Sequence, residues 1–463
     1  MLDVIDWSNF AFDLEGLKNY MQFGYCVFEH TPIKNVKFLR YYSILTQNID
    51  ENGKKSIKIE NLEDPCLQYI GKKSTVDDVM STITNHMADF EKTRDKSKRI
   101  LLPLSGGNDS RFLASLIKDK SSIDAYTYGL TKTGDCWETA RAKEVAKRLG
   151  INHQVIKLRD FNGPQYCQKA FDVYGLQMPL HAMYHMEFYD NIIKQFSGNY
   201  VVVSGSVGDW FAGEKIPLNT PKDPDDFSKI FFNHGISIPS EFIKTTDSNA
   251  ICEEYFEQHS SAMKSNKTWV RVAMFRNRIN LAGYIFTTAK TYLESYTPYY
   301  DIDIAWSQLN LSDEDGKDRK WQADYFKSIG LDVENDVNVN ATIKSLNRLD
   351  SLVVQSSFDI KSQLLNVEKL KQFVVEERLN WINEQLIWLK NTNLISIEDF
   401  LHNINFNNPF TPNKIANLAN RLRGKAISLA FGNKMHNAIK AFNEWTVLKP
   451  IEMMIDLANR KNL

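Results

Sequence analysis

Between Thr75 and Phe90, apolar Val76, Val79, Met80, Ile83, Met87 and Phe90 recur at intervals that put them on one helical face. Thr75 ahead of Asp78 supplies side chains suited to an N-terminal cap. The polar, basic stretch TRDKSKR (93–99) closes this helix, and the pattern changes at once to an apolar run, ILLPL (100–104), of strand length. A glycine loop follows, then a predicted helix at FLASLIK (112–118) and a strand at IDAYTYGL (123–130). A further helix is predicted at WETARAKEVAKRLG (137–150), and strands at HQVIKL (153–158) and YVVVSG (200–205). Strands alternating with helices predict an α/β fold with a parallel sheet wound by helices.

The two ends of the chain read differently. Leu14, Leu17, Tyr20 and Met21 predict a short helix leading into a loop with Thr31 and Pro32. From about 345 onward the periodicity is helical, as in LLNVEKLKQFVVEERLNWINEQLIWL (364–389), which predicts a helical region to Leu463. Three segments follow from these changes: 1–74, 75–345 and 346–463.

Composition alters this picture little. The 463 residues are 43% hydrophobic and 24% charged with a net charge of −1, so no global field selects nucleic acid or membrane. The basic segment 412–443, with Lys414, Arg421, Arg423, Lys425, Lys434 and Lys440 and no acid, suits either a solvated helix face or weak contact with an anionic membrane surface or substrate. Cys26, Cys66, Cys136, Cys167 and Cys252 form no Cys-x-x-Cys pair, which argues against a zinc site and fits a reducing cytoplasm. MLDVIDWSNF lacks the basic stretch followed by an apolar run that a secretory leader carries, so none is expected, and no apolar run reaches the 18 or so residues of a membrane span.

The chemistry concentrates in LPLSGGNDSRF (102–112). Gly106 and Gly107 allow a tight turn between strand and helix, and the helix N-terminus offers free N–H groups to an anion. Ser105 and Ser110 add hydroxyl donors. Asp109 fits beside a phosphate only with a divalent cation between them. Neither the Gly-Lys-Ser/Thr of a Walker loop nor the Rossmann glycine spacing is present. The alternative is a bare glycine turn.

This loop, with Leu104 leading into it, resembles the pyrophosphate loop of the N-type ATP pyrophosphatase superfamily. Three further stretches resemble asparagine synthetase-like amide-forming enzymes. In TYGL with WETARAKEVAKRLG, Tyr128 matches an adenine-contact position and Glu138 an acidic helix start. VVVSGSVGDWFAG resembles the pattern S-G-[DE]-G-[GA]-D-E-L-F-G-G, with Ser204 and Gly205 as nucleotide contacts and Asp209 as a second magnesium-binding aspartate beside Asp109. LESYTPYYDIDIAWS (293–307) resembles E-x-R-x-P-F-L-D, with Glu294, Pro298 and Asp301 in place; Glu294 is thereby a candidate catalytic residue. The family also has a downstream lysine that stabilises pyrophosphate charge, for which Lys344 is the candidate and Lys320 the rival.

The resemblance, over roughly 13–345, implies a five-stranded parallel sheet and an enzyme that uses ATP and Mg2+ to adenylate a carboxylate, release pyrophosphate and pass the acyl group to ammonia or an amine. Residues 13–39 resemble the end of the family's glutaminase domain, whose nucleophilic first cysteine has no counterpart here; a separate glutaminase or an amine then supplies nitrogen. Ser206 and Trp210 replace family acids and Tyr296 replaces the arginine, which points to an acceptor other than plain aspartate. Uronic acids of surface polysaccharides, the substrates of β-lactam synthetase-like enzymes and those of lasso-peptide cyclase-like ones stay open. A tRNA-modifying enzyme would be expected to carry a basic surface, which a net charge of −1 does not favour, and a silent nucleotide-binding scaffold sits poorly with Ser105, Asp109 and Asp209 retained.

Overall fold

The computed structural model describes residues 2–129, 137–158, 163–196, 198–212, 219–231, 236–282, 288–334, 363–392 and 413–461. At its centre is a five-stranded, all-parallel sheet of β3 (Arg99–Pro103), β4 (Ile123–Gly129), β5 (Asn152–Lys157), β6 (Tyr200–Val203) and β7 (Glu294–Tyr296). Its order is β5-β4-β3-β6-β7. The chain therefore runs outward from β3 in one direction and then returns to build the other half. The reversal lies between β3 and β6, and in open parallel sheets ligands bind outside the carboxyl ends of the strands at such a point.

The alternation along β3 explains why both faces are covered. Leu101 points into a cluster with Tyr126, Ile156 and Val202, whereas Ile100 and Leu102 join Ile123, Ala125, Val201 and Val203 on the other side. Helices α2 (Val76–Thr93), α3 (Asn108–Leu116) and α4 (Trp137–Leu149) contribute to the second cluster. Thr75 and Asp78 form the expected capping box at the start of α2. Helices α5 (Gly163–Tyr174) and α6 (Tyr184–Gln195) pack into the first cluster. That cluster also takes Leu17 and Tyr20 of α1 (Leu14–Phe23), and Leu379, Trp445 and Ile451 from the carboxyl-terminal helices. Residues from each of the segments 1–74, 75–345 and 346–463 thus contribute to this first cluster.

Among the described residues, the carboxyl-terminal region is helical, as its periodicity predicts. Its long helix spans Asn413–Lys461 and contains the basic segment, of which the side chains from Asn433 on are described. No described helix is long and apolar enough to cross a membrane. Three elements differ from expectation. Helix α3 begins at Asn108, inside the glycine loop, because its first turn is made by the loop itself. An exposed hairpin of β1 (Ser43–Ile49) and β2 (Lys55–Asn61) forms a separate two-stranded sheet. Strand β7 is three residues long at an edge of the sheet, too short to give a period of its own.

Candidate functional site

Leu104 ends β3 buried, its N–H bonded to the Tyr126 carbonyl at 2.9 Å. The chain then turns through Ser105, Gly106 and Gly107 into α3. Ser110 Oγ accepts the Ser105 N–H at 3.1 Å, and Ser105 Oγ accepts the Gly107 N–H at 3.1 Å. The two hydroxyls also lie 3.1 Å apart, so one donates to the other and one O–H remains to be directed elsewhere. Gly107 is the N-cap of α3 and gives it no side-chain cap, which leaves the first-turn N–H groups to a ligand. A Cβ on Gly106 would lie 3.1 Å from the Cα of Glu138, so this glycine lets the start of α4 close over the loop. Burial pushes the Glu138 carboxyl above its usual range.

The second loop, after β6, is built against the first. Ser204 N–H bonds to the Tyr296 carbonyl at 2.9 Å, and Ser204 Oγ accepts the Ser206 N–H at 3.1 Å. A Cβ on Gly205 would lie 2.6 Å from the amide nitrogen of Ser110, and one on Gly208 would lie 2.7 Å from Asp109 Oδ1. Both positions therefore require glycine, and their closeness brings the two motifs together. Asp209 follows Gly208 in the first turn of the short helix Gly208–Phe211. Tyr299, buried in the turn Pro298–Tyr300 after β7, stays protonated well above its usual range through burial and the negative charges of Asp109 and Asp209, against the opposing charge of Arg319. The two carboxylates predicted to share a metal thus act on one buried side chain.

That is a fit for a divalent cation: two carboxylates at the switch point, a glycine-lined approach between them, and an uncapped helix N-terminus for the accompanying anion. Asp109, Asp209 and the loop 105–110 are the residues that would hold magnesium with a polyphosphate.

Other expected residues lie differently. Tyr128 is at the carboxyl end of β4, half-buried, its ring edge-on to Tyr184, His185 and Phe188. Glu294 is not brought to the cluster: it pairs in register with Val201, below the carboxyl end of the sheet, and its exposed carboxylate is ion-paired with Lys98, the residue before β3. Asp301 accepts the amide hydrogens of Asp303 at 2.9 Å and Ile304 at 3.2 Å, capping the helix Ile302–Leu309. Lys320 is half exposed and lies 3.6 Å from Asp324. Lys344 lies outside the described residues.

The structure supplies a cation that the motifs did not single out. Arg319, next to Lys320, bonds Asp109 Oδ2 through Nη1 at 3.2 Å with little exposure. Its backbone is left-handed, φ 58°, where the chain kinks before the helix Lys320–Ser328. Only the basic pair Arg319-Lys320 in the sequence hinted at it. Behind α3, Arg111 is fully buried and forms a two-point pair with Glu334 at 2.5 and 2.9 Å, and Arg141 of α4 approaches the same carboxylate at 3.4 Å. Burial acts to raise the Glu334 pKa, but the Arg111 guanidinium outweighs it and holds the group at about 2.

Residues 95–213, which run from just after α2 through β3 and β6 to the second loop, match the asparagine synthase family. No curated protein sequence matches the chain. Among solved structures, an NH3-dependent NAD synthetase from Campylobacter jejuni in complex with the nitrate ion is 15% identical, covering 44% of this chain and 96% of its own, at a TM-score of 0.25. An NMN synthetase from Francisella tularensis is 18% identical, covering 44% and 94%, at a TM-score of 0.22.

Proposed function

We propose that the protein is an ATP-dependent amide-bond synthetase that works through an acyl-adenylate. The observation that carries this reading is the meeting of Asp109 with the loop of Asp209 across Gly208, beside an open helix N-terminus at the switch point of the sheet. A carboxylate is a poor electrophile because hydroxide is a poor leaving group. Attack of its oxygen on the α-phosphorus of ATP forms the acyl-phosphate bond and releases pyrophosphate. The amine then displaces AMP and forms the amide.

The chain's part is to position and to stabilise charge. Ser105, Gly106, Gly107, Ser110 and the first turn of α3 receive the departing pyrophosphate. Magnesium held by Asp109 and Asp209 would neutralise charge on the phosphate oxygens. Arg319, already against Asp109, would add a fixed positive charge to offset that of the departing pyrophosphate. Tyr128, half-buried at the carboxyl end of β4, would pack against the adenine.

For the acceptor, Ser206 and Trp210 put a hydroxyl and an aromatic face where family acids stand, a composition suited to an anionic, hydroxyl-rich carboxylate such as a uronic acid of a polysaccharide. In the test, the purified protein is given Mg–ATP, an amine and a panel of uronates, amino-acid derivatives and peptides. AMP and pyrophosphate are expected in equal amounts, and ADP with orthophosphate would overturn adenylation. Asp109→Asn is expected to lower turnover by roughly 100-fold or more; unchanged turnover would remove Asp109 from the metal site.

A further inference from the structure

We infer that the Tyr299 hydroxyl is a ligand-binding group of this site, donating its hydrogen bond to the oxygen shell of a bound magnesium–polyphosphate. The inference rests on the functional reading above and adds a residue to it.

Four observations lead there. Tyr299 is completely buried. Its hydroxyl is a buried donor with no hydrogen-bond partner among the described residues. Its ring edge and Asp109 meet at one place: a Cβ on Gly208 would lie 2.9 Å from Tyr299 Cε2 and 2.7 Å from Asp109 Oδ1. Finally, Asp109 presents its other oxygen, Oδ2, to Arg319, so the oxygen facing the tyrosine is the one on the side of the Asp209 loop.

A phenylalanine would fill the same space without burying a donor, and the P-F-L-D pattern that this stretch resembles has phenylalanine at that position. Packing alone therefore leaves the hydroxyl unexplained, because an unmet buried donor is destabilising. At neutral pH a tyrosine hydroxyl is an O–H donor. The acceptor it suits is an oxygen carried in between these carboxylates and Arg319. A phosphate oxygen or a metal-bound water meets that description, and both arrive with a magnesium–polyphosphate.

The test compares Tyr299→Phe with the wild type by thermal unfolding and by calorimetric titration, using Mn2+ alone, Mg2+ with inorganic pyrophosphate, and Mg2+ with α,β-methylene-ATP. The variant without ligand is expected to melt at the same temperature or higher, since it loses an unmet donor. Its affinity for Mg2+–pyrophosphate is expected to fall roughly 10-fold, with a matching loss of the ligand-induced rise in Tm. A fall with Mn2+ alone as well puts the contact on the metal's water; a fall only with the phosphate ligands puts it on a phosphate oxygen. Tyr300→Phe, at the exposed neighbour, is expected to change neither. Retention of wild-type affinity in Tyr299→Phe overturns this inference alone, and so does a drop in its ligand-free Tm, which marks a structural role. A wild type that responds to none of the ligands overturns the functional reading and this inference together.

Discussion

The two loops at the switch point reach the same place by different means. In the first, Ser105–Ser110, the loop's own residues support the path: the serines bond to backbone N–H groups of the loop, and Gly107 caps α3 at an ordinary φ of −83°. In the second, Ser204–Asp209, one residue opposes it. Val207 is held at φ 64°, a left-handed conformation that a β-branched side chain disfavours, at the start of the turn that carries Asp209. The first loop is thus written into its own residues, whereas the second is held by tertiary contact: Gly205 and Gly208 press it onto the backbone and carboxylate of the first. A metal pair needs both aspartates, but only one of them sits on a locally self-sufficient loop.

The strongest way to break this dependence is at Gly205. A Cβ there would meet Ser110 N at 2.6 Å and the Asp109 carbonyl carbon at 2.9 Å, both backbone, so neither neighbour can rotate away. Gly205→Ala is expected to cost more than about 3 kcal/mol in urea unfolding and to abolish pyrophosphate release. The matching change in the first loop, Gly107→Ala, meets only Ser105 Oγ at 3.2 Å and is expected to fold normally. Equal losses at the two glycines would erase the distinction between the loops.

A smaller effect concerns what anchors the first loop from behind. Arg111 of α3 is fully buried and relies on Glu334. The Glu334 pKa is depressed from 4.5 to about 2, so its ionised form contributes stability that is fully present above about pH 4.5 and is lost as pH falls toward 2. The depression bounds that contribution near ~3 kcal/mol, and a carboxylate that is 37% exposed realises about half of it. Glu334→Gln is therefore expected to unfold about 1–2 kcal/mol more easily at pH 7, with the gap to wild type narrowing below pH 4.5. A gap that stays constant with pH would show that the ion pair does not hold α3 in place.

The same contrast governs what could be read from the sequence. The core strands β3, β4 and β6 and the capping box at Thr75 and Asp78 are local patterns, and periodicity and turn chemistry expose them, whereas the start of α3 at Asn108 lay hidden inside the glycine loop. Strand β7 escaped because three residues at an edge carry no period. Glu294 matched a motif letter, but parallel register with Val201 and a pair with Lys98 set it below the site. Arg319 and Tyr299 escaped for the opposite reason: each gains its meaning from Asp109, far away in the chain, through a kink in one case and a glycine contact in the other.

The smallest effect is expected at Val207 itself, where two terms oppose each other. Its left-handed backbone costs about 1–3 kcal/mol. Its side chain is buried against the sheet, at 4% exposure, and contributes about 1.5–3 kcal/mol. Val207→Gly relieves the first term, forfeits the second and adds about 0.5–1 kcal/mol of chain entropy in the unfolded state. The balance is a loss of about 1 kcal/mol, well below that of Gly205→Ala, although Val207 is the residue whose backbone is strained. A loss above about 3 kcal/mol would mean that the strain is absent and that packing alone sets the loop. A gain would mean that the buried side chain contributes nothing and that strain at the Asp209 turn is maintained by the contacts of Gly205 and Gly208 with the first loop.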